Sequence, residues 1–358
     1  MTGELTARSF HAVGPADVVL RMDAKTPTSA ADARTYHRRM LADGASGPSS
    51  TKIWTGLVTV YFFWGTTYLA IDRTNQTIPP LVGPAVRFLI AGLVLMGLSR
   101  RRGTWQTPTR RQWGGATLVG ALLLFGGNGM VATAEDLGVP TGIMALIIAL
   151  VPLWLALIDR VVLRSGRLGW RVVVGLTGGF AGAALLVTAQ LAGDVRPLGL
   201  LVAVIASLSW SSGSLASRDV PLPPDPLQAS GMQQVAGGVA ILIAAMVSGQ
   251  MGDLDVGAIS AGSLVALLYL ILIGSILTFS TYLWLLRNAR TSLVSTYAYV
   301  NPVVAVTLGH LVLGEAITLR TMLAGGVILV AVALIVSAGA AARSRRAERV
   351  EAAEAEAH

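Results

Sequence analysis

The sequence predicts an all-α membrane protein in which ten transmembrane helices form two inverted five-helix repeats. Its composition is the first reason, because only 13% of the 358 residues are charged while 53% are hydrophobic, a balance outside the range of soluble domains. The second reason is that apolar runs of about 20 residues, each long enough to cross a bilayer, follow one another with short breaks. The third reason is an internal similarity between the two halves of the chain. The sequence contains no cysteine, which excludes disulfides and thiolate metal sites.

The apolar runs lie between two polar ends. Residues 1–52 are rich in Ala, Ser, Thr and Pro, so we expect a disordered cytoplasmic extension rather than a signal peptide. Met22 and Met40 are alternative start positions within it. Residues 343–358 are expected to form a cytoplasmic tail, basic at first and then rich in Ala and Glu, as a loose helix. The predicted spans are 53–72, 81–99, 113–135, 141–159, 168–189, 197–217, 227–249, 262–287, 292–313 and 320–342.

The placement of arginine predicts the orientation. With the N-terminus inside, the predicted outer loops hold only Arg73, Arg196 and Arg320. An excess of Lys and Arg in short loops marks the cytoplasmic side, so both termini are predicted to be cytoplasmic. The arginines of the cytoplasmic loops and the C-terminal flank are Arg100, Arg101, Arg102, Arg110, Arg111, Arg160, Arg164, Arg167, Arg171, Arg218, Arg287, Arg290, Arg343, Arg345, Arg346 and Arg349.

The two halves repeat a common pattern, with residues 53–189 as repeat 1 and residues 197–342 as repeat 2. Each repeat has five spans, and an odd number means that the second copy enters the membrane from the opposite side. Inverted repeats imply a pseudo-two-fold axis in the membrane plane and a central site that can face either side. At an offset of 146 or 150 residues, the aligned pairs are Trp64-Gly-Thr-Thr-Tyr-Leu-Ala70 with Trp210-Ser-Ser-Gly-Ser-Leu-Ala216, Arg87 with Gln233, and Pro152 with Pro302.

Short motifs in a fixed order cover residues 53–340. They are Trp64-Gly-Thr-Thr-Tyr68, Arg87-Phe-Leu-Ile-Ala91, Gly127-Asn-Gly-Met-Val131, Ala134-Glu135, Gly274-Ser275, Tyr297-Ala-Tyr-Val-Asn-Pro302 and Gly314-Glu315. Together they resemble the EamA-type permeases of the drug/metabolite transporter superfamily, in particular a branch of bacterial inner-membrane exporters. The resemblance implies a proton- or gradient-driven exporter of small metabolites or drugs in the cytoplasmic membrane. Where many family members repeat Gly-Glu after the fourth helix, this chain has Arg164-Ser165, so Glu315 is not expected to act symmetrically.

Polar and aromatic side chains recur at helical spacing in several spans, and we expect them to line a central substrate cavity. For the serine stripe that includes Ser207, Ser211 and Ser214, close helix packing is the alternative. For the aromatic residues the alternative is an interfacial belt, which the mid-span positions of Trp64 and Trp210 disfavour. The predicted cavity residues are Trp64, Tyr68, Arg87, Asn128, Trp210, Ser214, Gln233, Tyr282, Tyr297 and Asn301.

Two charged residues inside the spans are further candidates. A charge at such a depth costs about 3 kcal/mol on insertion scales, so Arg87 is expected to have a partner or water. Arg87 is predicted to recognise a substrate anion or to form a proton-coupled gate, and a static ion pair with Glu135 is the alternative. Glu135 is the candidate for proton coupling, with a wetted helix end as its alternative.

Other polar or helix-breaking residues have architectural explanations. Pro152 and Pro302 each remove a backbone hydrogen bond, and the resulting kink acts either as a hinge or as fixed curvature. Glu315 is expected in the turn between the last two spans, capping the start of the tenth. His310 is expected to be structural or interfacial.

The expected function is secondary active transport by alternating access, with a small-molecule substrate and the lipid bilayer as partners. No cofactor, metal or nucleic acid is expected, and the protein is expected to be a monomer or a homodimer. A membrane channel or facilitator is the first alternative, although the sequence has no filter of repeated carbonyls and no charged ring. A membrane-embedded enzyme is the second, although the spans lack a His/Asp/Glu cluster with catalytic or metal-binding spacing.

Overall fold

The computed structural model describes residues 49–161, 170–191, 196–289, 291–294 and 296–356. Nearly all of the predicted N-terminal extension lies outside these ranges. Within them all the regular secondary structure is helical, and we number the main helices α1 to α10. They are α1 (Ser50–Asn75), α2 (Val82–Arg101), α3 (Arg110–Gly120, Ala121–Gly129 and Met130–Asp136), α4 (Thr141–Ile148 and Val151–Val161), α5 (Trp170–Leu191), α6 (Pro197–Asp219), α7 (Pro226–Val247), α8 (Ala261–Tyr269, Leu270–Phe279 and Ser280–Asn288), α9 (Thr291–Val294 and Tyr297–Leu313) and α10 (Leu319–Glu356).

These helices begin and end within three residues of the predicted spans, except that α10 continues to Glu356 through most of the predicted tail. In the described part of the chain, five helices are long and apolar enough to cross a membrane: α2, α3, α6, α7 and α8. Shorter apolar helices occupy α4, α5, α9 and the first half of α10. Many large apolar side chains point outward, as a lipid environment permits. Examples are Phe62, Leu93, Leu201, Val265 and Leu323.

Helices α2 and α7 cross closely and run antiparallel. A β-carbon at Gly92 would lie 2.8 Å from the backbone nitrogen of Val235, and one at Gly238 would lie 3.0 Å from the backbone nitrogen of Leu89. The two contacts are equivalent under the 146-residue offset, because Gly92 corresponds to Gly238 and Leu89 to Val235. Glycine lets the two backbones approach at this crossing.

Two further helices contain π-helical segments at matching positions. The middle of α3 (Ala121–Gly129) and the middle of α8 (Leu270–Phe279) are both π-helical. In the first, Asn128 Nδ2 donates to the carbonyl of Leu123 at 3.4 Å, and in the second, Thr278 Oγ1 donates to the carbonyl of Ile273 at 2.7 Å. The two bonds are equivalent at an offset of 150 residues. π-Helical turns are rare in proteins, and those that occur often lie at functional sites. The hydrophobic pattern of the sequence does not predict them.

The two prolines do not affect the backbone in the same way. Pro152 is the second residue of Val151–Val161, after an interruption of α4 at residues 149–150. Its missing N–H is not needed there, because the first turn of a helix has no internal acceptor. Pro302 lies inside the continuous segment Tyr297–Leu313. Only Pro302 therefore removes a hydrogen bond from the interior of a helix.

Asp225 connects the start of α7, through hydrogen bonds, to the end of α2 and the loop after it. Its carboxylate accepts hydrogen bonds from the hydroxyls of Ser99 and Thr104 and from the backbone amides of Leu227 and Gln228. Burial alone would raise the pKa of Asp225, but these hydrogen bonds favour the carboxylate and hold its pKa below the usual value. Asp225 is thus an N-cap and a link between the two halves.

Candidate functional site

A cavity of about 60 Å³ lies where α1, α3, α4, α6 and α9 meet. Its volume is several times the space that one water molecule needs. Both halves of the chain contribute to it, since α1, α3 and α4 belong to the first half while α6 and α9 belong to the second. Its wall is formed by Trp64, Thr67, Tyr68, Ile71, Gly127, Asn128, Val131, Ala145, Ile148, Ala149, Trp210, Tyr297, Ala298, Asn301 and Pro302.

Aromatic rings form one side of this cavity. The ring centroid of Trp64 lies 5.8 Å from that of Trp210, 5.1 Å from that of Tyr297 and 4.8 Å from that of Tyr282. The rings of Trp64, Trp210 and Tyr297 meet edge to face, an arrangement that stabilises aromatic pairs. Trp64 of α1 and Tyr297 of α9 therefore meet in a single aromatic cluster, with Trp210 of α6 beside them.

Asn301 lies between the cavity and a helix contact. With its side-chain nitrogen facing two carbonyls, it donates to the backbone oxygens of Tyr61 at 2.9 Å and Tyr297 at 3.3 Å. The approach of α9 requires Gly65, since a β-carbon there would lie 2.6 Å from the Cβ of Val304. Asn301 thus joins α9 to α1 next to the cavity, in addition to lining it.

Arg87 lies beside the main cavity rather than on its wall. Its side chain is 4% exposed, and its Nε donates to Ser275 Oγ at 2.8 Å. Gly274 leaves room for the guanidinium, because a β-carbon there would lie 2.9 Å from an Arg87 terminal nitrogen. Arg87 borders a void of about 10 Å³, which is large enough for one water molecule. Asn128 lies on both this void and the main cavity.

The alternative of an Arg87–Glu135 ion pair is wrong for this conformation. Within the described ranges, neither carboxylate oxygen of Glu135 has a hydrogen-bond partner, and Arg87 bonds to a serine instead. Glu135 is 8% exposed and lies one helical turn after Val131, which lines the cavity. Burying a polar group without a partner is costly, so the carboxylate of Glu135 has unused hydrogen-bonding capacity.

Three acidic side chains gather near the end of α3. Asp72 of α1 and Glu315 are close enough to Glu135 to repel its carboxylate, and Tyr68 of α1 is also near it. Asp72 and Glu315 therefore add negative charge near the carboxylate of Glu135. A single positive charge, such as a proton, would relieve this arrangement.

Glu315 does not cap α10, so that prediction is wrong. Its Oε1 accepts hydrogen bonds from the backbone nitrogen and the hydroxyl of Thr141 at 2.7 and 2.8 Å, and its Oε2 accepts from the nitrogen of Gly142 at 3.1 Å. It therefore caps the start of α4, in the other half of the chain. The unpaired amides at any helix start can donate to a carboxylate, and the sequence could not show which start was nearest. His310 Nδ1 lies 2.9 Å from the backbone oxygen of Glu315.

Three predicted cavity residues lie elsewhere. Ser214 donates to the carbonyl of Trp210 in its own helix at 2.7 Å, Gln233 is buried in α7, and Tyr282 packs behind Trp64. The hydroxyl of Ser214 is thus engaged by its own helix, and Ser214 does not line the cavity in this conformation. Within the same stripe, Ser211 bonds to the carbonyls of Val151 and Ser207, which agrees with the packing alternative.

Several residues of the cavity wall were not predicted from the sequence. Thr67, Ala145, Ile148 and Ala149 are small or apolar and carry no chemical signal of their own. Asn75 was also missed: its Nδ2 donates to the carbonyl of Ala132 at 2.8 Å, and its buried Oδ1 has no partner. The 150-residue offset, which pairs Asn128 with Thr278, was the available signal for the matched segments of α3 and α8.

A bundle of apolar helices around an aromatic-walled cavity, shared by two similar halves, is the arrangement of a membrane transporter. The family is shown by comparison, since the model of the EamA-like transporter family matches residues 52–188 and again residues 197–337. The chain belongs to this family, and the resemblance stated from its motifs is confirmed. It is a membrane transporter of the EamA and drug/metabolite transporter group.

Named relatives agree with this assignment. The chain is 38% identical over 282 residues to the uncharacterized inner membrane transporter YedA of Escherichia coli (strain K12), covering 78% of this chain and 89% of the relative. It is 28% identical over 289 residues to protein PecM of Dickeya dadantii, covering 79% and 91%. A solved crystal structure with 22% sequence identity superposes with a TM-score of 0.56, covering 80% of this chain and 98% of that one. At that identity the crystal structure supports the fold alone.

Proposed function

We propose that this transporter is a secondary carrier that exports a small metabolite or drug across the cytoplasmic membrane by alternating access. The observation that carries the proposal is the central cavity, because helices of both halves build its wall. A site between two inverted repeats can face each side of the membrane in turn. The antiparallel, offset-related contacts of α2 and α7 support the proposed ten-helix inverted arrangement.

The proposed substrate contacts follow from the wall. Trp64, Tyr68, Trp210 and Tyr297 provide flat apolar surface, while Asn128 and Asn301 provide hydrogen-bonding groups. Arg87 reaches the substrate from the adjoining void when the helices move. The wall is proposed to be supported from outside the cavity by Tyr282, Gln233 and Ser214. The proposed hinges in α4 and α9 are Pro152 and Pro302.

The orientation remains part of the proposal. The arginine distribution supports cytoplasmic termini, which places the junction of Glu315 with the start of α4 at the outer face. The membrane is proposed to be the inner membrane, because the relative YedA is named an inner membrane transporter. Residues 53–189 and 197–342 are the proposed repeats, in either a monomer or a homodimer.

Substrate counterflow in proteoliposomes tests the carrier mechanism. A panel of small metabolites and toxins is first screened for compounds that raise the apparent thermal stability of the purified protein, as a ligand of the native state must. With unlabelled compound trapped inside, a carrier accumulates the radiolabelled compound transiently against its gradient. A conductance far above carrier turnover, with no counterflow, would support the channel alternative instead. The matched family is a transporter family, and YedA is named a transporter, so neither comparison supports the enzyme alternative.

We propose Glu135 as the proton-coupling group, because it is buried, has no hydrogen-bond partner among the described residues, and lies near Asp72, Tyr68 and Glu315. Replacing Glu135 by Gln removes the titrating carboxyl and keeps the shape, so the flux of Glu135→Gln is expected to lose its dependence on pH. The measurement is counterflow and net uptake between about pH 5 and 8. An unchanged pH dependence in this variant would exclude Glu135. The matched control is Asp253→Asn, which removes an exposed carboxylate from the α7–α8 link.

A further inference from the structure

The junction between α4 and the turn after α9 contains a carboxylate whose two oxygens are both engaged. Glu315 accepts two hydrogen bonds from Thr141 and one from the amide of Gly142. The turn depends on Gly314, whose φ of +71° is in the left-handed region that favours glycine. That turn directs Glu315 back across α9 and onto the buried amides of Thr141 and Gly142 at the α4 start. Hydrogen bonds from a helix start to a charged group are stronger than neutral ones.

The same junction closes the space next to the cavity. A β-carbon at Gly142 would lie 3.0 Å from Val306 Cγ2, and one at Gly309 would lie 2.8 Å from Thr141 Oγ1, so α4 and α9 touch at this point. Ala145 lies one helical turn after Thr141 and lines the cavity. The contact between α4 and α9 therefore lies one helical turn away from the cavity.

The corresponding end of the other repeat has a different sequence. At the 150-residue offset Thr141 corresponds to Thr291, but Glu315 corresponds to Ser165. Both repeats thus keep the threonine, and only one supplies a carboxylate for it. The Glu315 carboxylate therefore has no counterpart at the offset position of the first repeat.

We propose that Glu315 is the latch of the outer gate. In the closed state its carboxylate holds the start of α4, and the cavity opens outward only when Thr141 and Gly142 are released. The assignment rests on the proposed alternating-access carrier and its orientation. A fixed helix cap makes the same hydrogen bonds in every state, so the two interpretations differ in how the cavity wall becomes accessible.

The sequence has no cysteine, so an introduced thiol can be followed without background. Ala145→Cys places the thiol on the cavity wall, where the native side chain is 2% exposed. Intact cells are treated with a membrane-impermeant maleimide, and the labelling rate is measured. Adding Glu315→Gln, which removes the negative charge, is expected to raise that rate about tenfold. Adding Thr141→Val, which removes only the hydroxyl bond, is expected to raise it roughly threefold.

Asp253→Asn is the matched control, because it removes one exposed carboxylate outside the junction and is expected to leave the rate unchanged. Equal labelling rates with Glu315→Gln, Thr141→Val and Asp253→Asn would overturn the latch. Faster labelling only from the cytoplasmic face, measured in inside-out vesicles, would also overturn it. If Glu315→Gln fails to insert, Thr141→Val carries the test because it keeps the carboxylate and both amide bonds. Labelling needs no substrate, so accelerated labelling without counterflow would retain the latch and reject the proposed carrier.

Discussion

Arg87→Ala is expected to lower substrate counterflow at least about a hundredfold while the protein still inserts and folds. A charge-assisted hydrogen bond lost from a buried site costs about 3 kcal/mol, which corresponds to this factor. The structure supports the choice, since Arg87 is buried and bonds to Ser275 but to no carboxylate among the described residues. Arg87→Lys keeps the charge and loses the Nε bond, so its flux is expected to fall between the two. The measurement is counterflow at equal protein density, with folding checked by size-exclusion chromatography.

Arg73→Ala is the matched control for Arg87→Ala. Arg73 is an exposed arginine near the end of α1 whose side chain donates a long hydrogen bond to Gln76 Oε1 at 3.4 Å. Its removal is expected to leave counterflow within about twofold of the wild type, because exposed charges contribute little. Equal flux in Arg87→Ala and Arg73→Ala would remove Arg87 from the proposed mechanism.

Gly92→Ala is expected to destabilise the protein by about 2 kcal/mol, although it adds a single methyl group. The new β-carbon would lie 2.8 Å from the carbonyl oxygen of Gly231 and 2.8 Å from the backbone nitrogen of Val235. Backbone atoms cannot turn aside as a flexible side chain can, so α2 and α7 would have to separate. The midpoint of thermal unfolding in detergent measures the effect.

Gly97→Ala in the same helix provides the opposite case. A β-carbon at Gly97 meets no atom within 4 Å, so the substitution is expected to be neutral or to stabilise by up to about 1 kcal/mol through helix propensity. A common shift of the unfolding midpoint in Gly92→Ala and Gly97→Ala would show that the α2–α7 crossing does not depend on close approach.

The helices were readable from the sequence because hydrophobic runs and their polar breaks are local properties. Their ends agree within about three residues, apart from the extension of α10. The motif order around Trp64, Asn128 and Tyr297 was sufficient to identify the family. These residues also lie together on the cavity wall.

Contacts between distant segments were not readable in this way. Asn301 was predicted as a substrate contact, and its amide also binds the carbonyl of Tyr61. Ser214 was predicted on the wall, but its hydroxyl bonds to its own helix. In each case the side chain donates to a backbone carbonyl oxygen, and the sequence does not show which carbonyl oxygens are available to accept a hydrogen bond.

The sequence by itself determined the class of protein. Its few charged residues and many apolar runs of about 20 residues are typical of helices that lie in a lipid bilayer. It also determined the two-fold pattern of the chain, through the repeated tryptophan and proline positions. Only the tertiary structure decided that Glu315 binds the start of α4 rather than the start of α10, and that Arg87 and Glu135 do not pair. Both outcomes depend on distances between helices far apart in sequence, which are set by close contacts at glycines such as Gly92 and Gly142.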